Sequence, residues 1–160
     1  MEIPYNIAVP MKPDSLARTF NTLHMRYSQY INRRHKATGH LWQGRFFSCV
    51  LDEGYLYSGM RYVENNPVRA KVVEKADQYR WSSARSHAYG VADPVISSDC
   101  PLVESVADWS AYLDEREESR MIEAIRRNTG TGRPCGDEKF IREIETLLCR
   151  RVSAMPIGRP

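Results

Sequence analysis

The sequence predicts an α+β fold: a mixed core over residues 1–90, an acidic connecting segment over 91–113 and a helical, basic tail over 114–160. Three observations point there. Helical periodicity recurs in several windows, a separate window is rich in aromatic and β-branched residues, and charge changes sign twice along the chain. Residues 1–90 hold 13 Lys+Arg against 7 Asp+Glu, residues 91–125 hold 2 against 9, and residues 126–160 hold 8 against 4. A basic front and a basic tail around an acidic middle fit a polyanion partner met by two surfaces, or simply solvated faces.

Ile7–Pro10 reads as the end of a strand. Pro13 and Asp14 then announce a helix with Asp14 or Ser15 as its N-cap. Leu16, Phe20, Leu23, Tyr27 and Tyr30 follow at helical spacing to roughly Arg34, a stripe expected to face the core. Arg33–Gly44 is a basic turn with two glycines, and Arg45–Leu51, RFFSCVL, has strand composition. A second helix begins at Asp52 or Glu53, with Leu56, Met60 and Val63 as its apolar stripe. At 100° per residue, Tyr55, Gly59, Tyr62 and Asn66 lie within about 60° of one another beside that stripe. Pro67 is expected to end this helix at Asn66, because a residue before proline is pushed out of the α region.

Val68–Val73 reads as a short strand, Asp77–Trp81 as a turn and Ser82–Tyr89 as a short helix. Gly90 to about Val103 has loop composition. Two more helices, about Asp114–Asn128 and Asp137–Val152, flank the Gly-rich turn Thr129–Gly136. With Arg126, Arg127, Arg133, Arg150 and Arg151, they read as a helix-turn-helix-like hairpin or as a plain hairpin packed on the core. Gly132-Arg133-Pro134 and Gly158-Arg159-Pro160 faintly echo minor-groove hooks.

Composition narrows the function classes. The chain has 160 residues, 42% of them hydrophobic, enough to bury the core of one domain. No run approaches the roughly 18 apolar residues of a membrane span, and no basic-then-apolar leader opens the chain. A cytoplasmic location without a membrane partner is expected. The four cysteines, Cys49, Cys100, Cys135 and Cys149, form no close pair in sequence, which argues against a zinc cluster and for reduced thiols.

Two constellations carry chemistry. Tyr62 and Asn66 stand four apart, so a phenol and an amide project from one helical face beside basic residues, as a nucleophile attacking a phosphodiester requires. Arg33, Arg34, Lys36, Arg45, Arg61, Arg69 and Lys71 form the second, with Trp42, Tyr79 and Trp81 interleaved. Arginines neutralise phosphates and aromatics stack unpaired bases, which favours single-stranded or hairpin DNA. The competing role for Trp42 and Trp81 is to anchor the core.

Gly39–Arg45 (GHLWQGR), Tyr62–Ala70 (YVENNPVRA) and Tyr79–Ser83 (YRWSS) lie in the order and close spacing of one family. Over residues 14–90 the chain resembles the REP-associated tyrosine transposases, single-tyrosine enzymes of the HUH nuclease superfamily, and a looser likeness runs through TGRPCGDEKF. The resemblance implies a ferredoxin-like antiparallel sheet with helices on one face, here lacking its first strand and helix. It implies Tyr62 as the nucleophile that holds a 5′-phosphotyrosine during DNA strand cleavage and rejoining. It also implies a divalent Mg²⁺ or Mn²⁺ to which Asn66 offers an oxygen. A sheet missing a strand presents an edge, and a homodimer is one way to cover it.

The chain departs from the family at its start. The family's metal-binding His-x-His pair would fall at Ile3 and Tyr5, within MEIPYNIAVP, and neither is an imidazole. Two readings stay open, a strand-cleaving transposase and a non-catalytic DNA-binding remnant. A third is an RNA-binding or unrelated helical interaction protein.

Overall fold

The computed structural model describes residues 5–42, 44–97, 100–115 and 119–153. Ile3, Gln43 of the Gly39–Arg45 motif and Gly158-Arg159-Pro160 lie outside them. The described elements are α1 (Ser15–His35), α2 (Glu53–Glu64), α3 (Asn66–Arg69), a 3₁₀ turn (Ala76–Gln78), α4 (Ala84–Tyr89), α5 (Pro101–Ser105), α6 (Trp109–Asp114), α7 (Ser119–Thr131) and α8 (Glu138–Leu148). The protein is helical, and the expected α+β, ferredoxin-like antiparallel sheet is not seen. Among the described residues extended pairing reduces to one parallel bridge, Leu51 with Cys135.

Each expected strand fails for its own reason. Ile7–Pro10 meets no pairing partner among the described residues, and a strand alone leaves its backbone groups to water. Arg45–Leu51 is extended only near its end, where Val50 O accepts from Cys135 N at 2.8 Å and Asp52 N donates to Cys135 O at 2.9 Å. Val68–Val73 does not extend, because Pro67 sits in the first turn of α3, where a proline's fixed φ and missing N–H cost nothing. Asn65, not Asn66, closes α2, and the chain turns directly into α3. Without a sheet there is no open sheet edge, so that reason for a second copy lapses. No helix among the described residues is long and apolar enough to cross a membrane.

The chain divides into two compact units, one of Ala8–Ser48 and one of Met1–Ile7 with Cys49–Pro160. In the larger unit α2 stands between two apolar clusters. Met60, Ala76, Ala84, Trp109 and Leu113 form the first, joined by Leu56 and Val68. Tyr62, Ile122, Ile125 and Cys135 form the second, joined by Tyr5, Cys49, Leu51, Tyr55 and Val63. The predicted stripe of Leu56, Met60 and Val63 is therefore split between two cores. Gly59 lets a neighbouring segment approach, since a Cβ there would lie 3.1 Å from Leu51 Cδ1 and 3.6 Å from Ile7 Cδ1.

Asp52 fastens the start of α2 to the start of α8. Its Oδ1 accepts from Tyr55 N at 2.8 Å as the N-cap of α2, while its Oδ2 accepts from Asp137 N at 2.8 Å. Asp137 in turn caps α8 by accepting from Phe140 N at 2.7 Å. Gly136 is required between them, because a Cβ there would collide with the Phe140 ring and Asp52.

The smaller unit is α1 with a segment folded back on it. The turn is held by Asn32 Nδ2 donating to Gly39 O at 2.9 Å, and Gly39 takes a φ of +114° that favours glycine. Phe46 packs 4.9 Å from Phe20, and Trp42 stacks on His24 at 4.2 Å with an interplanar angle of 18°. Those contacts cover only one side of α1, which buries no residue completely. Leu23, Tyr27 and Tyr30, expected on the core face, are instead about half exposed.

Candidate functional site

Tyr62 is 3% exposed, so its burial, not its reach to solvent, defines its setting. Arg126 Nε donates to its hydroxyl at 3.0 Å, the Arg69 guanidinium lies 4.0 Å over its ring, and that of Arg126 lies 5.4 Å from the ring centre. Helix spacing alone does not foresee Arg126, which arrives from α7, 64 residues away in sequence. Cations over a tyrosine face gain from the ring quadrupole, by about 0.5–2 kcal/mol according to desolvation. Arg69 also donates to Tyr62 O, which fixes the turn from α2 to α3.

Tyr5 packs edge-on against Tyr62, ring centroids 5.2 Å apart at 71°. Burial pushes the Tyr5 phenol up to about 12, and its hydrogen bond with the Tyr62 hydroxyl adds to the shift. The residue at one of the two positions where the resemblance would put an imidazole is thus a neighbour of Tyr62 in space.

Asn66 opens α3, and its Oδ1 accepts from Arg69 NH2 at 3.2 Å. The oxygen expected to serve a divalent metal is thus held against a fixed cation. Among the described residues no group of three or more His, Cys, Asp or Glu side chains is placed to hold a metal ion. Mg²⁺ wants several oxygen donors in near-octahedral array, and one amide oxygen facing a guanidinium does not supply them. Among the described residues the donors around Asn66 do not fit such a metal.

Glu64, two residues after Tyr62, centres a network that the sequence reading missed. It is 1% exposed, the most deeply buried charged side chain among the described residues. His87 Nδ1–H donates to its Oε1 at 2.6 Å, Ser83 Oγ–H donates to the same oxygen, and Trp109 Nε1–H donates to its Oε2 at 2.7 Å. A buried carboxylate is tolerated when every lone pair that faces protein finds a donor. Tyr62–Glu64 and Ser83–His87 thereby acquire a physical reason: they tie α2 to α4 and α6. The available signal was a Glu inside an otherwise apolar helical window. The side chains of Ser83 and His87 each bond to Glu64, and only their backbones bond to one another, so the group reads as a structural junction.

The seven basic candidates divide by surroundings. Arg61 pairs with Glu115 at 2.7 Å and lies 3.8 Å over the Tyr112 ring, and Arg69 is engaged around Tyr62. Both work inside the larger unit. Lys71 is exposed just beyond α3, in the left-handed region at φ 58°. Arg33, Arg34, Lys36 and Arg45 are exposed on the smaller unit. Arg33 and Arg34 lie in the last turn of α1, where they also complement the helix dipole, and Lys36 caps the helix at φ 50°.

Ala8–Ser48 contains seven Lys and Arg against one carboxylate, Asp14. Tyr27, Tyr30, Trp42 and Phe47 are exposed on the same unit. Neither Trp42 nor Trp81 anchors the core: they are 36% and 74% exposed, and the core tryptophan is Trp109 at 3%. Trp81 instead carries the Arg80 guanidinium 4.6 Å over its ring. Compared with protein-family models, curated proteins and solved structures, the chain finds no match, so the likeness to the transposases rests on its motifs alone.

Proposed function

We propose that the protein binds single-stranded or hairpin DNA in the cytoplasm, as a non-catalytic relative of the REP-associated tyrosine transposases. The observation that carries this reading is the concentration of basic charge and exposed aromatic rings on Ala8–Ser48. Arg33, Arg34, Lys36 and Arg45 neutralise phosphates, while Tyr27, Tyr30 and Trp42 offer rings on which unpaired bases stack, each worth about 1–3 kcal/mol. Burial of Tyr62 and the pairing of the Asn66 oxygen with Arg69 support binding without cleavage.

A second reading is strand cleavage through Tyr62. It draws on Tyr5, which lies against Tyr62 at a position where the resemblance would set a metal-binding imidazole. Fluorescence anisotropy with labelled hairpin single-stranded DNA, repeated across salt concentrations, tests the first reading. Tight binding that weakens steeply with salt is expected, and no binding even at low salt overturns it. Incubation with the same DNA and Mn²⁺ tests the second, comparing wild type with Tyr62→Phe. A covalent protein–DNA adduct present in wild type and lost in the variant would replace the non-catalytic reading by the enzymatic one.

A further inference from the structure

The second apolar cluster holds two thiols that neither constellation uses. Cys49 is half-buried and Cys135 is 2% exposed, and both pack in the cluster around Tyr62. Far apart in sequence, their segments are brought together by the one extended pairing among the described residues. Cys135 N donates to Val50 O at 2.8 Å and Asp52 N donates to Cys135 O at 2.9 Å, so the backbone beside each thiol is held on both sides. Both thiols belong to one apolar cluster, on segments whose backbones pair at Leu51 and Cys135. Thr129 Oγ1 lies 3.3 Å from Cys49 Sγ, and Cys135 Sγ lies 3.7 Å from Ala124 O.

We propose that Cys49 and Cys135 are a reactive thiol pair that small disulfides oxidise to an intrachain disulfide. The pair has the asymmetry such chemistry needs. The neighbouring Cys135 thiol draws the Cys49 thiol down to about 6, and the Thr129 hydroxyl adds to this against the opposing effect of burial. Cys135 is pushed up by the neighbouring Cys49 and by burial. Cys49 is therefore the attacking thiolate and Cys135 the resolving thiol.

In the first step Cys49 Sγ attacks one sulfur of the small disulfide, whose S–S bond breaks and releases one thiolate. In the second, Cys135 gives up its proton and its sulfur attacks Cys49 Sγ in the mixed disulfide, expelling the second small thiolate. The proton of Cys135 and one from solvent leave both small molecules as thiols. The protein pair loses two electrons and the small disulfide gains them. The new bond joins two segments of the Tyr62 cluster and closes a loop from residue 49 to 135.

The test is to treat the native full-length protein with oxidised glutathione, block remaining thiols with iodoacetamide, and map disulfides by peptide mass spectrometry. A linked Cys49–Cys135 peptide pair is expected, with Cys100 and Cys149 recovered alkylated. Recovery of Cys49 and Cys135 as separate alkylated thiols, or Cys49 linked to Cys100 or Cys149, overturns the proposal. Cys135→Ser should arrest the reaction with glutathione on Cys49. Because that variant alters a buried site and its folding is open to loss, the wild-type map decides by itself. The pH profile of Cys49 alkylation is the second measurement. It should rise through about pH 6, and at that pH Cys49 should react about tenfold faster than a free ordinary thiol. A profile that rises only above pH 8 counts against the thiolate role.

Discussion

Ala8–Ser48 and the remainder of the chain spend the same residue types in opposite ways. In the smaller unit Arg33, Arg34 and Arg45 face water and Tyr27 and Tyr30 are about half exposed, around a helix that buries nothing completely. In the larger unit Arg61 and Arg69 lie on the rings of Tyr112 and Tyr62, and the carboxylate of Glu64 is enclosed by three donors. An arginine beside an aromatic ring is left exposed in one unit and is a packing element in the other. The difference is desolvation: a cation left in water stays available for phosphate, whereas one enclosed with partners is already spent.

The largest expected effect falls on the larger unit. Glu64→Ala leaves Ser83, His87 and the Trp109 N–H without their acceptor, and unfolding free energy should drop by about 3–5 kcal/mol. Urea denaturation followed by circular dichroism measures it. A loss below about 1 kcal/mol would mean that the junction between α2, α4 and α6 is dispensable.

Next in size is the triple change Arg33→Gln, Arg34→Gln and Lys36→Gln on the smaller unit. The slope of log affinity for single-stranded DNA against log salt should flatten by about 2, since each phosphate contact contributes about 0.7. The melting temperature should hold. An unchanged slope would move the DNA contacts off this unit and erase the contrast drawn above.

Tyr62→Phe should act on stability alone, by about 1 kcal/mol, through loss of the hydroxyl that accepts from Arg126. The same variant should bind hairpin DNA as wild type does. A large loss of binding without loss of stability would place Tyr62 at the DNA.

The smallest signal is spectroscopic. Tyr5 is raised to about 12, so its neutral form is favoured by the fold, and the stability it contributes is whole below its ordinary value of 10.0. That stability is lost as pH rises from there through about 12. Alkaline titration by ultraviolet absorbance should show late-titrating phenols, Tyr5 with the also raised Tyr89 and Tyr112, and Tyr5→Phe should remove one phenol's worth of that late phase. Persistence of the whole late phase in the variant would break the pairing of Tyr5 with Tyr62.

Local signals carried much of the helical structure. The stretch from Pro13 to Arg34 with its 3.6-residue period is α1, and Asp52 and Asp137 cap helices as short polar side chains at such boundaries do. Tyr62 was legible as a singular residue, but its neighbours were not. Arg126 and Tyr5 come from 64 residues after and 57 before, and no local period encodes that meeting.

The sequence by itself determined where helices start, where charge gathers and which motifs recur, because capping, periodicity and composition are properties of neighbours along the chain. Only the tertiary structure decided whether aromatic and β-branched windows pair into a sheet, since a strand exists only when another segment satisfies its backbone. Among the described residues that partner was a single residue, Cys135, so only the end of RFFSCVL, Cys49 and Leu51, joins a helical core. Tertiary structure likewise decided which arginines stay in water, which tryptophan is buried, and that two distant cysteines share one apolar cluster. Burial and approach belong to the folded chain as a whole.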